Sequence, residues 1–356
     1  MTPTAAPHNS NVTGKIPATL IPGDGIGPEI TAATTHVLDK LGAPFAWDVQ
    51  QAGMAGLKAE GAPVPDSTMA SIKRTGLALK GPLTTPSGGG FRSVNVTLRQ
   101  AFDLYANVRP ARTLVPGRYE EVDIVLIREN VEGFYAAREY FLPQGGGDGA
   151  HGAAEAEGMA VTAGYVTRAE CRRIVRHAFE YALAHGRKKV TLVHKANILK
   201  LMGKVFLEEG HKVAADYAGR VACDERIVDA CAMQLCLDPS QFDVIVTTNL
   251  FGDILSDQIS GLIGGLGMAP GANIGEKQAI FEAVHGSAPD LAGRGVANPV
   301  ALMLAAGLML DHVGEHARAN SLRQALDSTL KAGVKTPDLG GTATTEAFAK
   351  AVAERL

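Results

Sequence analysis

Asp253 and Asp257 stand at i and i+4 in NLFGDILSD. On a helix both carboxylates share one face, roughly 6 Å apart, and repel unless a cation sits between them. Oxygen-only donors suit Mg²⁺ or Mn²⁺, and Asp229 could add a third ligand. Taken by themselves, the acids read equally well as decoration of a helix N-terminus. Ser93, Asn95 and Arg99 offer a hydroxyl, an amide and a guanidinium within SVNVTLR, and Arg109 and Arg128 follow. Arginines converging on one cleft would clamp a polycarboxylate through paired hydrogen bonds. On spacing alone, three solvated surface arginines are the better reading. Tyr135 and Lys195 are candidate acid–base groups, since a lysine beside a cation can be made a usable base. A satisfied core tyrosine and a surface lysine are the plainer readings. The turn Gly23-Asp24-Gly25-Ile26-Gly27 is followed by Pro28 and lacks the GxGxxG spacing of a dinucleotide fingerprint, so a tight turn explains it better than a phosphate site.

These residues need elements to hold them. Pro17–Ile21 is a short apolar run, the glycine turn follows, and Ile30, Ala33, Val37, Leu38 and Leu41 recur at helical spacing. Strand, turn and helix in that order open an α/β unit. Apolar runs at 77–79, 122–127, 190–193 and 242–247 read as strands. The last three end in Arg128-Glu129-Asn130, His194-Lys195-Ala196-Asn197 and Asn249 to Asp253. Ligands of open α/β sheets sit beyond the carboxyl ends of strands, so these ends are candidate site walls. Helices are expected at 299–313, 317–331 and 347–356. Residues 144–158 carry six glycines and no large apolar side chain, which reads as a flexible insert between segments able to pair as strands.

Composition narrows the function class. The chain has 356 residues, enough for about two domains. Its formal charge of −3 gives no electrostatic case for a nucleic-acid partner. The longest uncharged run, 258–275, holds too many glycines for a membrane span. The start of the chain lacks a basic region followed by an apolar block, so residues 1–15 read as a flexible tail and the location as cytoplasmic. Cys171, Cys223, Cys231 and Cys236 form no CxxC and read as free buried thiols. Glycine, at 41 residues, exceeds the usual level of about 7% without a collagen period, so loops and close backbone approaches must use it.

Seven segments in order carry a resemblance: PGDGIGPE at 22–29, DLYANVRP at 103–110, RENVEGFY at 128–135, VHKANI at 193–198, NLFGDILSD at 249–257, GGLGMAPGANIG at 264–275 and FEAVHGSAPD at 281–290. From about Ile16 to the C-terminus the chain resembles the metal-dependent β-decarboxylating dehydrogenases, which act on isocitrate, isopropylmalate, homoisocitrate or tartrate. The resemblance implies an α/β, isopropylmalate-dehydrogenase-like fold that is not a Rossmann domain. It places a large domain at 16–106 and 270–356, and a small domain at 107–269 with a dimer clasp near 137–165. It implies a homodimer, possibly pairing further to a tetramer, with active sites shared between subunits.

By that resemblance, Ser93, Asn95, Arg99, Arg109 and Arg128 bind the substrate. Tyr135 and Lys195 are catalytic: Lys195 of the partner subunit takes the hydroxyl proton, and Tyr135 protonates the carbon that loses CO₂. Asp253, Asp257 and Asp229 of the partner subunit hold Mg²⁺ or Mn²⁺. Thr84, His285, Gly286, Ser287, Ala288, Pro289, Asp290, Leu291 and Asn298 hold NAD. An aspartate at 290 accepts bonds from the ribose hydroxyls and repels a 2′-phosphate, which favours NAD over NADP. Isocitrate relatives carry the Ser-x-Asn-x-x-x-Arg pattern that this chain has at 93–99, whereas isopropylmalate relatives present apolar side chains there. NAD-dependent oxidative decarboxylation of a tricarboxylate, isocitrate, is therefore expected. Homoisocitrate and 3-isopropylmalate are the alternative substrates. A non-catalytic regulatory subunit is the non-enzyme alternative, and the intact acid–base and metal sets oppose it.

Overall fold

The computed structural model describes residues 14–85, 91, 93–136, 138–143 and 158–356. Most of the tail expected at 1–15, the glycines at 88–90 and nearly all of the insert at 144–158 lie outside the described residues. The strands are β1 (Ile16–Ile21), β2 (Phe45–Val49), β3 (Leu77–Lys80), β4 (Ala106–Arg112), β5 (Asp123–Glu129), β6 (Arg138–Pro143), β7 (Gly158–Ala163), β8 (Lys189–His194), β9 (Ala222–Ile227), β10 (Val244–Thr247), β11 (Pro270–Ile274) and β12 (Ala279–Ala283). The helices are α1 (Gly27–Lys40), α2 (Met54–Glu60), α3 (Asp66–Thr75), α4 (Val94–Ala101), α5 (Arg168–Ala184), α6 (Lys200–Ala215), α7 (Val228–Leu237), α8 (Asn249–Leu262), α9 (Val300–His312), α10 (His316–Lys331) and α11 (Thr345–Ala353).

Ten strands form one sheet in the order β2-β1-β3-β12-β11-β4-β5-β10-β8-β9. Its outer parts are parallel, and β12-β11-β4-β5 are mutually antiparallel in the middle. An all-parallel Rossmann sheet is therefore excluded. The inner parallel strands are covered on both faces, which explains why β3 and β10 are buried along their whole length. At the seam between the segments at 16–106 plus 270–356 and the segment at 107–269, β11 pairs with β4 through Ala272↔Val108, Asn273↔Asn107 and Ile274↔Ala106. The sheet thus runs unbroken across it.

Helices form where the apolar spacing demanded them. Helix α1 begins at Gly27 with Pro28 in its first turn and buries Ile30, Ala33, Val37 and Leu38. Helix α9 is apolar all round and is buried along nearly its whole length. The run expected as a strand from 242 starts at Val244, because Pro239–Gln241 forms a 3₁₀ turn that Phe242 closes. A second, smaller core of Ile21, Ala78, Leu83, Leu104 and Ile280 receives Val94 and Leu98 of α4. That anchor fixes α4, with Asn95 and Arg99 one position further round the helix.

The segments flanking the insert do pair, as the antiparallel ribbon β6–β7, which exposes Tyr140, Phe141, Leu142 and Met159. All four cysteines are free, but the expectation of buried thiols holds fully only for Cys171 and Cys231: Cys223 is exposed on the edge strand β9, and Cys236 is half-buried. Among the described residues no helix is long and apolar enough to cross a membrane.

Candidate active site

Arg128 is the penultimate residue of β5, Arg109 lies on β4 and Arg99 is on α4, and all three are buried where these elements meet. Arg128 is 1% exposed. Its Nε and one terminal nitrogen donate to Asn249 Oδ1 at 3.0 and 2.7 Å, and the other terminal nitrogen bonds Asp253. Burial pushes the Arg128 guanidinium down, to about 9, with help from Arg109 and Arg99, and it remains charged at neutral pH. Arg109 donates from Nε to Asn107 Oδ1 at 2.7 Å, hydrogen-bonds Ser256, and reaches Asp257 at 3.4 Å and Asp253 at 3.7 Å. Arg99 donates to Asn273 Oδ1 at 3.2 Å and lies 3.5 Å from Glu282. The three arginines are thus brought together, and the surface alternative fails.

Asp253 and Asp257 both lie on α8, beyond its first turn, so acids decorating a helix N-terminus are not the explanation. Burial works against the Asp253 carboxylate, but Arg128, the Tyr135 hydroxyl and Arg109 together hold it below the usual range. Burial lifts Asp257 above that range, and the neighbouring Asp253 adds to the rise while Arg109 opposes it. A divalent cation would relieve this like-charge pair, and the oxygen-only donors suit Mg²⁺ or Mn²⁺. Tyr135 sits in the 3₁₀ turn Gly133–Ala136, donates to Asp253, and packs its ring 4.9 Å from the Arg128 guanidinium carbon. Burial and the bond to Asp253 raise its hydroxyl above the ordinary phenol range, so it holds its proton at neutral pH.

A cleft of about 210 Å³ is lined by Arg99, Arg109, Arg128, Tyr135 and Asp253, together with Ser93 and Asn95. The Asn95 Oδ1 atom is buried and has no hydrogen-bond partner. The loop after β12 closes the remaining side with His285 and Gly286, and His285 Nε2 is likewise buried and unpartnered. Burial pushes the His285 imidazole down, which favours its neutral form. The glycine turn at 23–27 holds this loop in place. Ile26 N–H donates to Ser287 C=O at 2.9 Å, and a Cβ on Gly25 would sit 2.0 Å from that oxygen. Thr84 and Ser287 pair through their hydroxyls at 2.7 Å. Ala288 adopts φ +39°, an unusual left-handed conformation for a residue with a Cβ, just before the turn Pro289–Leu291 that exposes Asp290. Asn298 is buried and donates to Asp338 at 2.9 Å. An unpartnered imidazole nitrogen and an exposed acid on the loop after β12, with a hydroxyl pair that joins it to the loop after β3, fit a dinucleotide.

Lys195 and Asp229 are not among the residues lining this cleft. They bond one another, Lys195 following β8 and Asp229 opening α7. Among the described residues no cluster of three acidic, histidine or cysteine side chains could hold a metal. Within one chain, then, Asp229 does not join Asp253 and Asp257.

Four residues at the site escape a reading by spacing. Lys80, 2% exposed, ends the apolar strand β3 and bonds Glu282 at 2.8 Å. Burial opposes ionisation of Glu282, but Lys80 and Arg99 outweigh it and hold the carboxyl well below the usual range. Asn107 and Asn273 are buried beside them. A charged residue inside an otherwise apolar strand, as in AIFEA, is the one signal that could have flagged Glu282.

The chain matches the isocitrate/isopropylmalate dehydrogenase family over residues 17–352. A 3-isopropylmalate dehydrogenase of Methanothermobacter thermautotrophicus is 44% identical over 339 residues, covering 95% of this chain and 97% of its own. An isocitrate/homoisocitrate dehydrogenase of Thermus thermophilus is also 44% identical, over 340 residues, with 95% and 97% covered. The crystal structure of isocitrate dehydrogenase from Methylococcus capsulatus superposes with a TM-score of 0.89 at 50% identity, covering 95% of this chain and 98% of that one. The chain belongs to this family and is an enzyme of it.

Gly252 supplies the test of the arginine cluster. A Cβ there would lie 2.6 Å from Arg128 Cγ and 2.8 Å from its Cβ, the stiff root of that side chain. Gly252→Ala should displace Arg128 from Asn249 and Asp253. The expected result is a rise in substrate KM of about tenfold or more by steady-state kinetics. An unchanged KM would show that the seat of Arg128 does not matter.

Proposed function

We propose that, within this family, the chain oxidises isocitrate with NAD and releases CO₂ and 2-oxoglutarate. The observation that carries this reading is the polar wall of Ser93, Asn95 and Arg99 in one cleft with Arg109 and Arg128, with the Asn95 amide oxygen buried and unpartnered. A half-turn of that amide presents either its N–H or its C=O to a ligand. An isopropyl group against this wall would leave a buried amide and hydroxyl unpaired, at about 1–3 kcal/mol each. A third carboxylate would be paired there. Support for NAD comes from Asp290, exposed on the cofactor loop, whose charge would repel a 2′-phosphate.

A divalent cation held by Asp253, Asp257 and Asp229 of the partner subunit would polarise the substrate hydroxyl and carbonyl oxygens, and NAD would accept the hydride. The chain's own residues do the rest. Arg99, Arg109 and Arg128 bind and orient the carboxylates. Lys195 of the partner subunit accepts the hydroxyl proton. Tyr135 keeps its proton until CO₂ has left, then delivers it to the exposed carbon. The separation of Lys195 and Asp229 from the cleft lining of their own chain supports a homodimer whose sites draw on both copies. The exposed apolar ribbon β6–β7, and Ile198, Leu201, Met233, Leu237 and Ile254 at 55–80% exposure, offer surfaces for that pairing.

Two experiments test the proposal. Purified chain is assayed with isocitrate, homoisocitrate and 3-isopropylmalate, each with NAD and with NADP, in Mg²⁺ and in Mn²⁺. Isocitrate with NAD should give the highest kcat/KM, and no activity at all would favour a regulatory subunit. Homoisocitrate is the harder competitor, because one methylene is worth only about 1–3 kcal/mol. Separately, inactive Lys195→Met and Tyr135→Phe chains are co-refolded. Shared sites should restore up to about a quarter of wild-type activity, one intact site per heterodimer. No recovery in demonstrated heterodimers would mean each chain is self-contained.

A further inference from the structure

Asn273 lies on β11, directly opposite Asn107 on β4, at the seam of the sheet. It is 2% exposed. Its Oδ1 accepts from Arg99 Nε at 3.2 Å, from Asn107 Nδ2 at 2.7 Å and from Asn130 Nδ2 at 3.0 Å. Its Nδ2 donates to Glu282 Oε1 at 2.7 Å and to Ile280 C=O at 3.2 Å. Asn107 in turn accepts from Arg109 Nε at 2.7 Å. One carbonyl oxygen thus gathers three N–H donors, and the series Arg109, Asn107, Asn273 has every donor pointing the same way. Neither amide can be reversed: a flip of Asn273 would turn its NH₂ on three donors and its oxygen on Glu282, and a flip of Asn107 would set nitrogen against the Arg109 Nε.

We propose that Asn273 is a positioning residue: it holds Arg99 by Nε directly and Arg109 by Nε through Asn107, which fixes their separation and sets their terminal nitrogens, shared here with Ser256, Glu282 and the α8 acids, along the cleft. This rests on the assignment of those arginines to substrate carboxylates. Two buried guanidiniums repel one another, and Arg99 contributes to the lowered pKa of Arg109. Without a shared acceptor between them the pair would relax apart. A third cation joins through Glu282, which binds both the Asn273 amide and Lys80. An aspartate at 273 would not serve, because its second oxygen would face the Glu282 carboxylate.

Kinetics on Asn273→Ala decides the matter, run with whichever of the three candidate acids the wild-type chain oxidises. A wrong substrate assignment then shows in the wild type and not in the variant. The substrate KM should rise about tenfold or more while the KM for NAD stays within about twofold. Asn130→Ala removes a donor that holds neither arginine, so it should lower the Tm and leave the substrate KM within about twofold. Asn107→Ala cuts the same series at its next link and should raise the substrate KM in the same direction, which keeps the test open if Asn273→Ala does not fold. The double variant Asn107→Ala/Asn273→Ala should be little worse than Asn273→Ala alone, since both act on one path. A substrate KM within twofold of wild type, an equal rise in both KM values, or effects that multiply in the double variant would overturn the proposal.

Discussion

Three guanidiniums buried at one seam set the terms for the rest of this site. Charge of one sign is costly to bury, and it survives only where fixed acceptors and opposite charges meet it. Arg128 has Asn249 and Asp253, Arg109 has Asn107, Ser256 and the α8 acids, and Arg99 has Asn273 and Glu282. Asp253 and Asp257 lie on one helix and Glu282 on a strand, so the positive cluster is matched from two sides. The acids engaged with Arg109 and Arg128 are the proposed cation ligands. A cation drawn to them would release positive charge toward the cleft, where a polycarboxylate answers it.

The fold supplies these groups from strands β4, β5 and β11 and from helix α4. β4 and β5 are antiparallel neighbours and bring Arg109 and Arg128 to one face, offset by two residues, with Arg128 opposite Asn107. β11 crosses the same seam and carries Asn273. α4 hangs from its own small core by Val94 and Leu98, so the polar residues one step round the helix are held without being buried in it. The glycine turn at 23–27 needs no phosphate to explain it. Asp24 in that turn accepts the N–H groups of Met54, Ala55 and Thr84, and Gly25 lets the backbone meet Ser287. The turn therefore braces the loop after β12.

Much of this was legible in the sequence, and the exceptions have a common cause. Arg109, Arg128, Tyr135 and Asp253 sit in long motifs whose order carries the family, Arg99 ends the separate pattern SVNVTLR, and α8 places Asp253 and Asp257 by simple helical spacing. Asn107 and Asn273 have no such spacing. They matter because β4 and β11 pair in a register that brings residues 166 apart face to face. Lys80 and Glu282 belong to parallel neighbours whose meeting depends on the topology of the whole sheet. Of the two free thiols outside the core, Cys223 is exposed because β9 is an edge strand, a fact set by sheet order.

The central claim is that the cluster and its polar wall are built for three carboxylates. Calorimetric titration of isocitrate and of 3-isopropylmalate into the chain in Mg²⁺, without NAD, isolates that claim from turnover. Isocitrate should bind at least about tenfold tighter, because only it pairs the groups of Ser93, Asn95 and Arg99. Equal or tighter binding of 3-isopropylmalate would contradict it.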